Sequence, residues 1–239
     1  MKIAFISDIH GNAVALEAVL EDIQLQKVDQ IYVLGDICFR GPEPQRSLDL
    51  VRSLHTEVIK GNADEWVVRG IRKGEVPDSA YEIMNKERNW IVHHLTSEAI
   101  EYLQQLPTNL KVVHENVSIH GFHATPVSLF ENIFPNASDE EIENKLLVED
   151  ADISLYAHIH KPYIRTINSK TIINLGSVGL PFDGIKKASY ALVEVDQQFV
   201  QSSIRRVSFD VDKVINQFKQ SDYPNKEKLI DILSRAKND

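Results

Sequence analysis

The chain has 239 residues, 43% of them hydrophobic and 26% charged, which suits one domain of ordinary size and excludes a disordered chain. Its formal net charge is −9 and its sequence pI about 5.5, so no global field draws it to nucleic acid or an anionic membrane. One cysteine, Cys38, excludes an intramolecular disulfide, and the apolar run at residues 1–6 is too short for a signal peptide or a membrane span. A cytoplasmic location is expected, with no DNA, RNA or membrane partner. A homo-oligomer is left open.

Residues 2–7 predict a strand, followed by Asp8-Ile9-His10-Gly11-Asn12. Val14, Leu16, Val19, Leu20 and Ile23 then recur at helical spacing, with Asn12 placed to cap the helix. Residues 30–34 predict a second strand ending at Gly35-Asp36, residues 45–54 a helix, and residues 57–60 a third strand ending at Gly61-Asn62. This β-α-β-α-β order argues for a mostly parallel sheet. Residues 65–106 carry only helical patterning and predict a helical insertion.

Beyond it, residues 110–113 and 117–120 predict a hairpin turning at His114-Glu115-Asn116. A helix is expected over 139–147 and strands over 153–156, 163–167, 171–174, 190–195 and 199–207. Two helices follow, over 211–218 and 226–236. The expected division is a domain over 1–208 and a helical extension over 209–239 packed on it.

Metal-capable side chains recur after these strands, where open α/β sheets bind their ligands. They are Asp8 and His10, Asp36, Asn62, His120, and His158 with His160. Residues two apart in extended chain point the same way, so each Asp-x-His or His-x-His pair offers two ligands to one cavity. Carboxylate, imidazole and amide donors suit manganese, iron or zinc better than calcium. A carboxylate can bridge two ions, and Asp36 is the candidate. Such a cationic spot would hold a phosphate despite the acidic surface.

The runs Asp8-x-His10-Gly11-Asn12, Gly35-Asp36-x-x-x-Arg40-Gly41, Gly61-Asn62, His120-Gly121, His158-x-His160 and Asn174-x-Gly176-Ser177 together resemble the calcineurin-like metallophosphoesterases. The resemblance spans roughly residues 1–195. Its nearest branch is the small bacterial and archaeal phosphodiesterases and diadenosine-tetraphosphate-hydrolase-like proteins. It implies a four-layer α/β/β/α sandwich of two mixed sheets, and two transition-metal ions, manganese foremost with iron or zinc as alternatives. Asp8, His10, Asp36 and His160 would bind the first ion. Asp36, Asn62, His120 and His158 would bind the second. Arg40 would grip a phosphate oxygen, and Asn12 would add a hydrogen bond to the substrate.

Two positions depart from the family pattern. The histidine that follows the ligand asparagine as general acid is here Ala63, and its aspartate partner is Phe39. His123 is the candidate substitute acid and substrate contact. The expected reaction is hydrolysis of phosphodiester or phosphoanhydride bonds with stable leaving groups, dinucleoside polyphosphates among them. A phosphomonoesterase resembling protein phosphatases, or a non-catalytic scaffold of the same fold, are the alternatives.

Overall fold

A computed structural model describes residues 1–238; Asp239, the last residue of the expected extension, lies outside the described residues. The chain opens with β1 (Lys2–Ile6), α1 (Ala13–Leu25), β2 (Gln30–Val33) and α2 (Pro44–Ser53). Three helices follow, α3 (Asn62–Arg69), α4 (Asp78–His93) and α5 (Ser97–Gln105). Then come β3 (Asn109–His114), β4 (Val117–Phe122), α6 (Asp139–Leu146), β5 (Ile153–Tyr156), β6 (Tyr163–Ile167) and β7 (Lys170–Asn174). β8 (Ala188–Val195), β9 (Val200–Val207), α7 (Val211–Gln220) and α8 (Lys226–Arg235) complete the fold.

The strands form two mixed sheets, ordered β2-β1-β8-β9 and β3-β4-β5-β7-β6. Alternation along each strand sorts side chains between two faces. In β1, Ala4 and Ile6 face a core shared with α1, α2 and the C-terminal helices, while Ile3 and Phe5 face the second sheet. Ile153, Leu155 and Ile173 meet them from that sheet. Its outer face carries Phe122, Tyr156 and Ile172 against Ile142 and Leu146 of α6. The result is the four-layer α/β/β/α sandwich implied by the resemblance. Among the described residues no helix is long and apolar enough to cross a membrane.

Two local expectations change. The third strand shrinks to a single parallel bridge between Val33 and Val58, because α3 starts at Asn62 and pulls the chain off the sheet. The hairpin closes on two residues, not three. Glu115 and Asn116 both take positive φ (49° and 70°), the geometry of a type I′ turn, whose twist matches that of the flanking strands.

β1 and β2 run parallel, as do β4, β5 and β7. Their carboxyl ends converge, and the loops that leave them build the site.

Candidate metal centre

The candidate ligands occupy unusual backbone. Asp8, His10, Asp36, His158 and His160 all have φ between 50° and 65°. Left-handed backbone costs an L-residue roughly 1–2 kcal/mol, less for Asp and His, so the surroundings must enforce it. Backbone hydrogen bonds do so: Asp8 donates to the Gly35 carbonyl, His10 to Asp36 and Gly11 to Ile37. Close approaches leave no room for side chains beside these loops. A Cβ on Gly41 would lie 1.8 Å from the His10 carbonyl oxygen, and one on Gly61 2.1 Å from Asp36 Oδ1.

Asn174 and Ser177 brace the same loops. Asn174 donates to the Ala157 carbonyl at 2.7 Å, beside His158, and Ser177 Oγ donates to the Asp8 carbonyl at 2.8 Å. Asp64, which sequence reasoning missed, accepts the backbone N–H groups of Asp36, Ile37 and Gly61 at 2.7–2.9 Å. Burial and the charge of Asp36 push its carboxyl up to about 6. Its only sequence signal was a carboxylate in the first turn of a helix.

Seven polar side chains converge inside this frame. His160 Nε2 stands 3.3 Å and His10 Nε2 3.7 Å from Asp8 Oδ1, and the two ring nitrogens face each other at 3.1 Å. Asp36 Oδ2 lies 3.6 Å from His10 Nε2 and 3.4 Å from His123 Nε2. Asn62 Oδ1 sits 2.9 Å from His123 Nε2 and 2.8 Å from His158 Nδ1. Asp36 therefore stands between two clusters, one with Asp8, His10 and His160 and one with Asn62, His123 and His158.

The protonation pattern tests whether cations fit. Nδ1–H of His10, His123 and His160 each donates to a backbone carbonyl, of Phe39, Leu34 and Leu180, at 2.8, 2.8 and 2.5 Å. In the neutral rings Nε2 is then a bare lone pair. In that neutral form His10 and His160 present lone pair to lone pair, His123 presents one to the Asn62 oxygen, and the buried Asp8 Oδ1 makes no hydrogen bond, with the His160 Nε2 lone pair 3.3 Å away. Acceptors packed against acceptors in a buried site repel unless positive charge lies between them. The donor set of imidazole, carboxylate and amide oxygen suits transition metals, so the residues fit two such ions.

The charges point the same way. Burial works against ionised Asp8, but His160 and His10 outweigh it and hold its carboxyl far below the usual range. Burial also opposes ionised Asp36, and His123 overrides it. His123 would be lowered by burial, yet the Asp36 carboxylate pushes it up to about 9, so in the metal-free protein a proton takes the place of a cation. His158 goes the other way, down to about 4, through burial and the charge of His123.

This has a measurable consequence for the metal-free protein. His123 is raised from 6.5 to about 9 on folding, so its stabilisation is complete below pH 6.5 and lost as pH rises through about 9. Urea titrations of metal-free protein should show a fall of at most roughly 3 kcal/mol across that window. His123→Gln should flatten the decline. An equal decline in that variant would contradict the assignment.

Three sequence expectations are corrected. His120 is outside the cluster. It lies within β4 on the same face as Phe122, whose ring is 4.9 Å away, and its Nε2 contacts Asn109 Oδ1 at 2.9 Å. Alternation along the strand turns it toward the outer layer. His123, one residue past the strand end, takes the place expected of His120. It is fully buried among Asp36 and Asn62, so it does not stand free as a substitute acid or a substrate contact. Asn12 is also committed elsewhere. Its Oδ1 caps α1 through the Ala15 N–H at 3.0 Å and its Nδ2 donates to the Gly179 carbonyl at 2.9 Å.

The cluster opens into a cleft of about 140 Å³ lined by His10, Asp36, Arg40, Asn62, His158 and His160, with an apolar wall of Phe39, Ala63, Trp66, Met84 and Phe182. Where an acid pair would stand, Ala63 and the buried Phe39 offer no proton. Phe182 stacks on His160 with ring centroids 4.1 Å apart.

The sequence profile described as "Calcineurin-like phosphoesterase superfamily domain" matches residues 1–198. The crystal structure of a metallophosphoesterase from Sphaerobacter thermophilus is 28% identical, covers 99% of both chains and superposes with a TM-score of 0.80. Phosphodiesterase YfcE of Escherichia coli strain K12 is 24% identical over 208 residues, 82% of this chain and 89% of that protein. A symmetrical bis(5'-nucleosyl)-tetraphosphatase from Psychromonas ingrahamii is 31% identical over 91 residues, 36% of this chain and 33% of that protein. With its site geometry and this match over most of its length, the chain belongs to the calcineurin-like phosphoesterase superfamily and is a metal-dependent hydrolase.

Proposed function

We propose that the protein hydrolyses phosphodiester or phosphoanhydride bonds of nucleotide-like substrates, dinucleoside polyphosphates among them. The carrying observation is the pairing of a lone-pair-lined cluster with a cleft wall that holds no proton donor at Ala63 and Phe39. Asp8, His10, Asp36 and His160 are assigned to one ion, and Asp36, Asn62, His123 and His158 to the other. Manganese is the expected occupant, with iron or zinc as alternatives. When bound, the ions would lower the pKa of water and offset charge on the phosphoryl oxygens.

The chain's own residues do the rest. Asp36 links the two ligand sets and fixes their spacing. Carbonyls of Phe39, Leu34 and Leu180 keep three imidazoles in the tautomer that leaves Nε2 open. Arg40, on the cleft wall, offers a planar fork to a phosphoryl oxygen pair. The apolar wall excludes water from the leaving side and supplies no acid, which favours leaving groups that depart as stable anions.

A second cavity of about 280 Å³ shares His158 and Phe182 with the cleft and is lined also by Asn132, Phe134 and Lys161. Lys161 Nζ lies 5.7 Å from the Phe134 ring centroid. An aromatic face beside an ammonium suits a nucleobase and a phosphate that is not cleaved. The relative YfcE is a phosphodiesterase and the Psychromonas relative a bis(5'-nucleosyl)-tetraphosphatase, which supports diester and dinucleoside polyphosphate substrates. The expected division at residue 208 and a cytoplasmic location belong to the same reading.

A substrate panel with metal analysis of the same preparation tests it. Bis-aryl phosphates and dinucleoside polyphosphates should turn over faster than aryl monophosphates. Faster monoester turnover would favour a phosphomonoesterase, and no hydrolysis or metal uptake after manganese addition would favour a scaffold.

A further inference from the structure

α4 buries Met84, Glu87 and Ile91 as one stripe. A carboxylate between two apolar residues, with no exposed surface, is costly unless it has a partner. That partner is Arg40, whose Nε lies 3.6 Å from Glu87 Oε2. Both atoms are buried and neither makes a hydrogen bond. The opposite oxygen, Glu87 Oε1, accepts from Asn225 Nδ2 at 2.7 Å, just before α8. Arg40 itself has a φ of 71°, its side chain is 16% exposed, and among the described residues it donates no hydrogen bond. An arginine whose Nε faces a carboxylate, and whose four terminal N–H donors make no hydrogen bond among the described residues, is prepared for a ligand. Held from the Nε side by a buried carboxylate, it keeps the edge formed by its two terminal amines for a planar anion.

We propose that Glu87 is the positioning residue of Arg40: a carboxylate carried by α4 and oriented by Asn225 that holds the guanidinium from behind and turns its terminal fork toward the phosphate in the metal cleft. The proposal rests on the reading of Arg40 as the phosphate-binding group. It gives the helices around residues 62–105 and the segment before α8 a shared task, since each supplies one link of the chain Asn225–Glu87–Arg40. Glu87 touches no reacting atom and acts only through Arg40.

The test uses the full chain reconstituted with manganese, in four forms: wild type, Glu87→Gln, Arg40→Ala and the double variant. Steady-state rates on bis(p-nitrophenyl) phosphate and the affinity for inorganic phosphate are both read, with melting temperature and metal content as controls. Arg40→Ala should lower kcat/KM about 100-fold, as loss of one preorganised donor does. Glu87→Gln keeps the shape and should lower kcat/KM about 10-fold and weaken phosphate about as much, with metal content unchanged. In the Arg40→Ala background Glu87→Gln should add less than a factor of about two, since coupled residues are non-additive. Should Glu87→Gln fail to fold, Glu87→Met, which continues the apolar stripe, takes its place.

Wild-type rates and phosphate affinity in the Glu87 variants, beside an impaired Arg40→Ala, would overturn the proposal. So would a Glu87→Gln loss that persists in full without Arg40, the mark of a merely structural role. An Arg40→Ala variant equal to wild type in both readouts would overturn the phosphate role and this inference with it. A wild type that binds phosphate through Arg40 and Glu87 but hydrolyses nothing would instead overturn the hydrolase reading alone.

Discussion

Asp36→Asn is expected to lower hydrolysis about a thousand-fold or more and to remove at least one metal equivalent per chain. The substitution keeps the shape of the side chain. It removes the charge that faces His10 at 3.6 Å and His123 at 3.4 Å, and with it the one group placed to join the two ligand sets. Without that charge His123 also loses the main cause that raises it, so the metal-free variant should no longer hold the extra proton at neutral pH. Metal analysis beside kcat checks the first effect, and an NMR titration of the histidine rings the second. A variant that retains two ions and full turnover would sink the two-ion reading.

The second large effect separates two histidines three residues apart. His123→Ala should cost about 100-fold or more in activity and lose the ion held with Asn62 and His158. His120→Ala should stay within a few-fold of wild type and keep its metal, because His120 faces Phe122 and Asn109 on the outer side of β4. Its cost should appear in thermal stability, through a lost hydrogen bond and a small void. The reverse pattern would return the ligand role to His120.

That pair shows how far linear reasoning reaches. His120-Gly121 has the form of a ligand motif and ends the strand expected from the sequence. In the folded chain β4 runs on to Phe122, and strand length decides which histidine clears the sheet. A rule was present: Asp8, Asp36 and His158 all lie beyond the last residue of their strands, and only His123 keeps that pattern. Asn12 is a similar case. Its position before a helix suited both a cap and a substrate contact, and the close packing of the turn at Gly179 claimed its amide for the first reading.

The sequence by itself carried the motifs whose resemblance implied the family and its layer architecture, and it set out the candidate metal ligands. Strand alternation and polar residues after strands are local patterns, and Asp8-x-His10, Asp36, Asn62 and His158-x-His160 stand in order along the chain. Only the tertiary structure decided which histidine joins the second cluster, that Asp64 holds the Asp36 loop, and that Glu87 stands behind Arg40. Each of these depends on contacts between residues far apart in the chain. Glu87 meets Arg40 across 47 positions and Asn225 across 138, so no local pattern marks it as more than a helical carboxylate. Burial supplies the physical reason: a charge with no access to water must find its partner in the fold, and the partner is known only once the helices are packed.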